Sequence, residues 1–200
     1  ILPERVRAFS SFELDHMTAQ GDVLRRGIEP LGASDARVAL YTAERYSLLA
    51  PPAGAPDGDL ERAIVAALGS RGAIFFREVV AIVRGFAPSL LDAIWSLVFK
   101  GLATNDTLGP LRSRLAPRDR HRPRPGRVHA PSRAMGSEGR WSLLPTDRAP
   151  PTDRAAAIAS SLLQRHAVLT REAVLAESPH GGYAAIYPVL RAMEEAGQIG

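Results

Sequence analysis

The 200-residue chain has no cysteine and a single lysine, Lys100. The first absence excludes disulfides and thiolate metal sites and makes a cytoplasmic setting the default expectation. The second leaves arginine carrying almost all the positive charge, a bias that a GC-rich coding sequence also produces. No apolar run approaches the roughly 18 to 20 residues of a membrane span, so no membrane partner is expected. There is no Gly-x-x-x-x-Gly-Lys-Ser/Thr loop to cradle nucleotide phosphates. There is no Gly-x-Ser-x-Gly nucleophile turn either. The five histidines, His16, His121, His129, His166 and His180, show no metal-ligand spacing. These residues give no support for catalysis by this segment alone, and no cofactor or metal is expected in it. The chain opens Ile1-Leu2-Pro3-Glu4-Arg5 and closes Gln198-Ile199-Gly200. It reads as a fragment of a longer protein, with no signal peptide.

What is present is a short pattern that occurs three times. It runs apolar, two residues, apolar, three residues, glycine, one residue, then a small or β-branched apolar residue. The copies are Leu14, Met17, Gly21, Val23; then Ile94, Leu97, Gly101, Ala103; then Leu190, Met193, Gly197, Ile199. Each reads as the last turns of an amphipathic helix, a C′ glycine that ends it, and the first residue of a strand. That is how the third helix of a winged-helix module passes into its wing. A second self-similarity supports repetition. Residues 71–80 match residues 165–174 at a shift of 94, and the third helices match at a shift of 96. Resemblance over this length exceeds what shared hydrophobic periodicity produces.

The expected fold class is α+β, mainly helical, with tandem winged-helix modules and short β wings. Residues 1–50 read as the C-terminal part of one module: a helix to Gln20, then short strands over 22–27, 37–42 and 46–50. Residues 51–58, rich in proline and glycine, read as a linker. Residues 59–145 read as a full winged helix. Asp59 is its expected N-cap, with Leu60, Ile64, Val65 and Leu68 facing inward. Its third helix opens at Pro88-Ser89, its wing at Thr104-Asn105-Asp106, and a returning strand runs over 140–144. Residues 152–200 read as another winged helix, truncated at its wing.

Charge divides the chain unevenly. Residues 112–140 hold nine arginines against Asp119 and Glu138, a local balance of +7 in a chain of net +4, which leaves −3 elsewhere. Five prolines between Pro110 and Pro131 argue against regular structure there. The stretch reads as a wing insertion that neutralises phosphates, or as a solvated linker. The candidate nucleic-acid contacts are Lys100, Thr104 and Asn105 near the wing, and Arg112, Arg114, Arg118, Arg120, Arg122, Arg124 and Arg127 in the insertion. Trp141 beside it is a candidate for stacking on single-stranded bases, weighed evenly against core packing. Trp95, next to core positions, reads as packing. The third helices are poor groove readers, because Asp92 in one and Glu194 and Glu195 in the other would repel phosphate.

Residues 32–41, 97–107, 139–143, 170–174 and 181–191 together resemble the C-terminal region of the large helicase-related (Lhr) family, in the same order along the whole chain. Thr104-Asn105-Asp106 and Gly181-Gly182-Tyr183 are the distinctive pieces. The resemblance implies a parent protein with an ATP-driven superfamily 2 motor, using ATP and Mg2+, that translocates 3′–5′ on single-stranded DNA and unwinds duplexes, RNA–DNA hybrids included, in DNA repair. It implies a C-terminal array of winged helices similar to winged-helix DNA glycosylases and able to self-associate. The family usually places an aromatic residue where this chain has Arg25, which leaves the packing of that wing open. Partners expected on this reading are single-stranded or forked DNA, the motor domains of the same chain, and further copies of the protein. Two alternatives stand beside it. One is a protein-interaction module with little DNA contact, favoured by the acidic balance outside the insertion. The other is part of a glycosylase-like region, although Gln20-Gly21-Asp22, the only echo of a glycosylase motif, reads as a polar helix end.

Overall fold

The computed structural model describes residue 4 and residues 6–32, 35–115, 136–177 and 179–199. It is mainly helical with two small antiparallel sheets, an α+β arrangement. Two compact units are present. Unit 1 comprises Ile1–Ala43 and Pro52–Pro145, and unit 2 comprises Glu44–Pro51 and Thr146–Gly200. The units therefore interleave along the chain, whereas the sequence reading placed its modules end to end.

Unit 1 begins with α1 (Ser11–Gln20), whose N-terminus is closed by the Ser10 hydroxyl accepting from the Glu13 amide. The strands β1 (Val23–Pro30) and β2 (Ala36–Thr42) follow as an antiparallel hairpin. They register Val23 with Thr42 and Pro30 with Ala36, with a bulge between Gly27 and Glu29. Gly27 permits a close approach, because a Cβ there would sit 2.8 Å from the Val98 carbonyl oxygen. Then come α3 (Gly58–Arg71), β3 (Ile74–Phe75), α4 (Phe76–Val83) and α5 (Ala87–Phe99). After these follow β4 (Ala103–Asn105), α6 (Gly109–Leu115) and β5 (Arg140–Leu143). The sheet order is β3-β5-β4, with the last strand to arrive in the centre.

The unit 1 core gathers Ile64 and Leu68 of α3, Val79 of α4, and Leu90, Ile94, Leu97 and Val98 of α5 around Trp95 and Trp141. Of the inward faces expected, all four positions of α5 and Ile64 and Leu68 of α3 are buried, while Leu60 and Val65 are half-buried against the core. The two tryptophans meet edge to face at 5.7 Å, a geometry worth about 0.5–1.5 kcal/mol beyond the area it buries. Pro110 sits in the first turn of α6, where its missing N–H has no intrahelical role. The proline argument against regular structure thus fails over this first stretch and leaves room for one short helix before Pro117.

Unit 2 contains α2 (Ala43–Leu49, from Glu44 on), α7 (Pro151–His166), α8 (Arg171–Glu177) and α9 (Gly182–Glu195). Leu162, Val174 and Ile186 form its core, with Ile158, Leu169, Tyr183 and Leu190 packed around them. The helix α2 corrects the strand expected over 46–50. Its last carbonyls are met by Arg154, which donates to Ser47 O at 2.8 Å and to Ala50 O at 2.9 Å. A cation at a helix C-terminus also suits the negative end of the helix dipole.

The threefold pattern has one geometry throughout. Gly21, Gly101 and Gly197 have φ of 85°, 70° and 68°. In each copy the glycine N–H donates back three residues, and the next N–H donates to Met17, Leu97 or Met193 at 3.0, 2.9 and 2.9 Å. These are complete Schellman motifs, and the second apolar residue of the pattern supplies the outer carbonyl each time. Among the described residues no single helix is long and apolar enough to cross a membrane.

Candidate nucleic-acid interface

The wing of unit 1 leaves α5 through Lys100 and Gly101. Lys100 is not an open cation. Its Nζ lies 2.6 Å from Glu61 Oε2 and 2.8 Å from Asp57 Oδ2, and its side chain is 22% exposed. The Asp57 amide donates to the same Glu61 oxygen at 2.6 Å. Burial pushes the Glu61 carboxyl up, but the Lys100 ammonium, the Asp57 amide and the Ser96 hydroxyl outweigh it and hold the group below its usual value. Burial likewise opposes the Lys100 charge, and the two carboxylates raise its pKa in spite of that. Lys100 therefore fastens the start of α3 to the end of α5.

Three further candidates turn inward, which corrects the expectation that they meet nucleic acid. Thr104 is 7% exposed, and its Oγ1 donates to the Arg25 carbonyl at 2.8 Å, tying β4 to β1. Asn105 is fully buried. Its Nδ2 donates to Glu138 O at 2.9 Å, and its Oδ1 accepts from the Thr107 amide at 3.0 Å. Asn105 thus caps its own turn through the Thr107 amide, as short polar side chains in turns do, whereas Thr104 makes a long-range tie. Trp141 is fully buried beside Trp95 and offers no face to a base.

Among the described candidate contacts, the accessible cations are the two on α6. Arg112 is 51% exposed and pairs with Asp15 Oδ2 at 2.9 Å, while the Leu108 amide holds Asp15 Oδ1 at 3.0 Å. Arg114 is 39% exposed, and its guanidinium carbon lies 5.0 Å over the Trp95 ring. On the far side of the insertion, Gly136 O accepts from Trp95 Nε1 at 3.2 Å, and Ser113 Oγ donates to Glu138 Oε1 at 2.9 Å. Residues 114 and 136, which bracket the arginine stretch, thus both rest on Trp95. Arg118, Arg120, Arg122, Arg124 and Arg127 lie outside the described residues.

Two arginines escaped the sequence reading as structural elements. One is Arg154, above. The other is Arg25 on β1, 2% exposed, with neither Nη1 nor Nη2 hydrogen-bonded among the described residues. Burial pulls its pKa down to about 10, Asp15 opposes the fall, and Arg112 adds to it. The resemblance had already made Arg25 the odd residue of its strand; no spacing rule would have buried it.

Residues 148–200 match the family model described as the winged-helix domain of the large helicase-related protein. Over 216 residues, 99% of the chain, it is 38% identical to a protein of Mycolicibacterium smegmatis called "Lhr helicase/probable uracil glycosylase". The chain belongs to the large helicase-related (Lhr) family. In an alignment 224 residues long that covers the whole chain, it is also 35% identical to the "Lhr helicase/uracil glycosylase" of Escherichia coli. It spans 14% and 15% of the length of these two Lhr proteins. The likeness thus covers both units, and the matched winged-helix domain falls wholly within unit 2.

Proposed function

We propose that this chain is a nucleic-acid-binding and scaffolding segment of an Lhr-type helicase. Supporting this reading most directly is the segregation of charge. Lys100 is held between two carboxylates with its side chain 22% exposed, whereas Arg112 and Arg114, each paired with one carboxylate (Asp15 and Asp92), remain 51% and 39% exposed just ahead of a stretch of sequence with five more arginines between 118 and 127. Phosphate contacts of this kind position a protein without reading sequence, so binding has little sequence preference. Single-stranded or forked DNA, or an RNA–DNA hybrid, is the ligand. ATP-driven 3′–5′ translocation with Mg2+, and any part in DNA repair, belong to the longer protein. The residues here do not fit a nucleotide site: no glycine-rich phosphate loop is present, and the sole lysine is committed.

The test is a salt titration of binding to a labelled single strand and a fork. Replacing Arg118, Arg120, Arg122, Arg124 and Arg127 by alanine is expected to weaken binding and flatten its dependence on salt. Unchanged binding would remove the insertion from the interface.

The names of both relatives favour a second reading, in which the segment contributes to uracil excision. That chemistry needs a pocket for a flipped base. Release of uracil from an oligonucleotide by the 200-residue chain alone would place the activity here. The interaction-module alternative is separated by light scattering: a stable oligomer that ignores DNA would favour it.

A further inference from the structure

Three charged side chains of unit 1 act on one another, and their charges do not balance. Asp15 on α1 is set against two cations, Arg25 on β1 and Arg112 on α6. The oxygens of Asp15 are engaged by others than Arg25. Oδ1 accepts from the Leu108 amide at 3.0 Å and Oδ2 from Arg112 Nη1 at 2.9 Å. Arg25 is 2% exposed, and its Nη1 and Nη2 have no hydrogen-bonded partner among the described residues. It remains a cation at neutral pH, because burial draws its pKa down only to about 10. Asp15 favours that charge and Arg112 opposes it.

The bonds that position 25 makes in the fold need no charge. It stands opposite Leu40 in the hairpin, and its carbonyl accepts from Thr104 Oγ1 at 2.8 Å. Most residue types supply both. A guanidinium withdrawn from water without acceptors is costly, and perturbed charges of this kind collect at functional sites. Its field has a definite direction. Arg25 attracts Asp15 and repels Arg112, and each effect loosens the pair those two form. The pair is exposed besides, 28% at Asp15 and 51% at Arg112, and such pairs are weak. Salt weakens it further, whereas a buried charge is screened much less. A phosphate that took Arg112 would therefore leave Asp15 facing a second cation rather than stranded.

We propose that Arg25 is a positioning residue for nucleic-acid binding: it draws on Asp15 from inside and leaves Arg112 free to exchange that carboxylate for a phosphate of a single strand. This role rests on the reading of α6 as part of the interface. Arg25 is buried and does not meet the strand itself. Its influence on binding passes wholly through the Asp15–Arg112 pair, which separates it from the arginines that touch phosphate. Stability is given up for a surface cation that its carboxylate releases easily.

The test is binding of a labelled single strand of thymidines, titrated with salt, to the 200-residue chain and its variants. Arg112→Ala is expected to lower the slope of log affinity against log salt by about 0.7. Arg25→Met is expected to lower it by a similar amount, although it removes no group that reaches the strand. The two together are expected to lower it by about 0.7 rather than about 1.4. Asp15→Asn is expected to tighten binding, and Arg25→Met added to it to change nothing further. Urea denaturation establishes that each variant is folded, and Arg25→Gln replaces Arg25→Met if the methionine variant is not. Flattening by Arg112→Ala with none by Arg25→Met overturns the role of Arg25 and leaves the interface standing. A slope that Arg112→Ala does not alter removes α6 from the interface, and the role of Arg25 goes with it. Losses that add, or an effect of Arg25→Met that persists beside Asp15→Asn, also overturn it, since Arg25 then acts through the packing of β1. Failure of both Arg25 variants to fold overturns it too, because the charge then serves the fold.

Discussion

Lys100 Nζ and Glu61 Oε2 stand 2.6 Å apart and join the end of α5 to the start of α3. Glu61's side chain is only 9% exposed, so loss of Lys100 strands a carboxylate that water reaches poorly. Lys100→Met is expected to lower stability by about 1–2 kcal/mol, a fraction of what a fully buried pair would cost to break. Urea denaturation at neutral pH measures it. The same variant is expected to bind a single-stranded oligonucleotide with unchanged salt dependence; a clearly flatter slope would return Lys100 to the interface.

The same pair sets an acid limb. The folded pKa of Glu61 lies below its unfolded value, so the unfolded state binds more protons at mildly acidic pH. The resulting stability is complete above the ordinary glutamate range and drains away as pH falls through the lower folded value. Lys100→Met, whose ammonium supplies much of the depression, is expected to lose part of that limb. Two stability profiles between neutral and strongly acid pH that stay parallel would contradict this.

Arg25 is a buried guanidinium whose Nη1 and Nη2 have no hydrogen-bonded partner among the described residues. Exchange of such a charge for an apolar side chain commonly stabilises a protein. Arg25→Met is expected to raise stability by about 1–3 kcal/mol in denaturant titrations. The advantage has a pH window. Folded Arg25 releases its proton near pH 10 while the unfolded arginine still holds its own. Wild-type stability therefore gains on the variant as pH climbs above that point. A variant less stable than wild type would mean that the guanidinium has a partner that compensates its burial.

The three repeat glycines respond differently to alanine. At Gly21 and Gly197 a Cβ would meet open space, so their alanine variants incur only the left-handed backbone penalty, about 1–2 kcal/mol. At Gly101 a Cβ would also run into the Arg26 guanidinium, which donates to Pro52 O at 2.7 Å. Gly101→Ala is expected to exceed the other two by at least about 1 kcal/mol, read as midpoints of chemical denaturation.

Arg112→Ala and Arg114→Ala address the interface itself. If each arginine contacts one phosphate of a single strand, each substitution lowers the slope of log affinity against log salt by about 0.7. Arg114→Ala also removes a cation from the face of Trp95, so it is expected to cost about 0.5–1 kcal/mol of stability, whereas Arg112→Ala tests the charge with less packing lost.

Local signals carried much of this fold. Apolar spacing placed α3 and α5 on their buried faces, and the glycine pattern located three helix ends. What stayed hidden depended on partners far along the chain. Tyr46 favours a strand on its own while Leu48 and Leu49 favour a helix, and α2 has its last carbonyls met by an arginine more than a hundred residues later. Thr104 and Asn105 looked like solvent-facing wing residues because nothing in their neighbourhood announces the Arg25 carbonyl or the Glu138 carbonyl. For Trp141 the spacing left packing and stacking equally open, and the central position of β5 decides for packing. Charge was legible as composition; which arginines reach solvent was not.

The bond from Arg154 to Ala50 joins residues 104 positions apart. During synthesis at roughly 5–20 residues per second, the carbonyls at the end of α2 would wait about 5–20 s for their donor to be made. Throughout that interval unit 1 is completed on either side of them, from Pro52 to Pro145. A nascent chain stalled within unit 1 would hold Glu44–Pro51 without its partners, so ribosome pausing there bears on unit 2 before most of unit 2 has been translated.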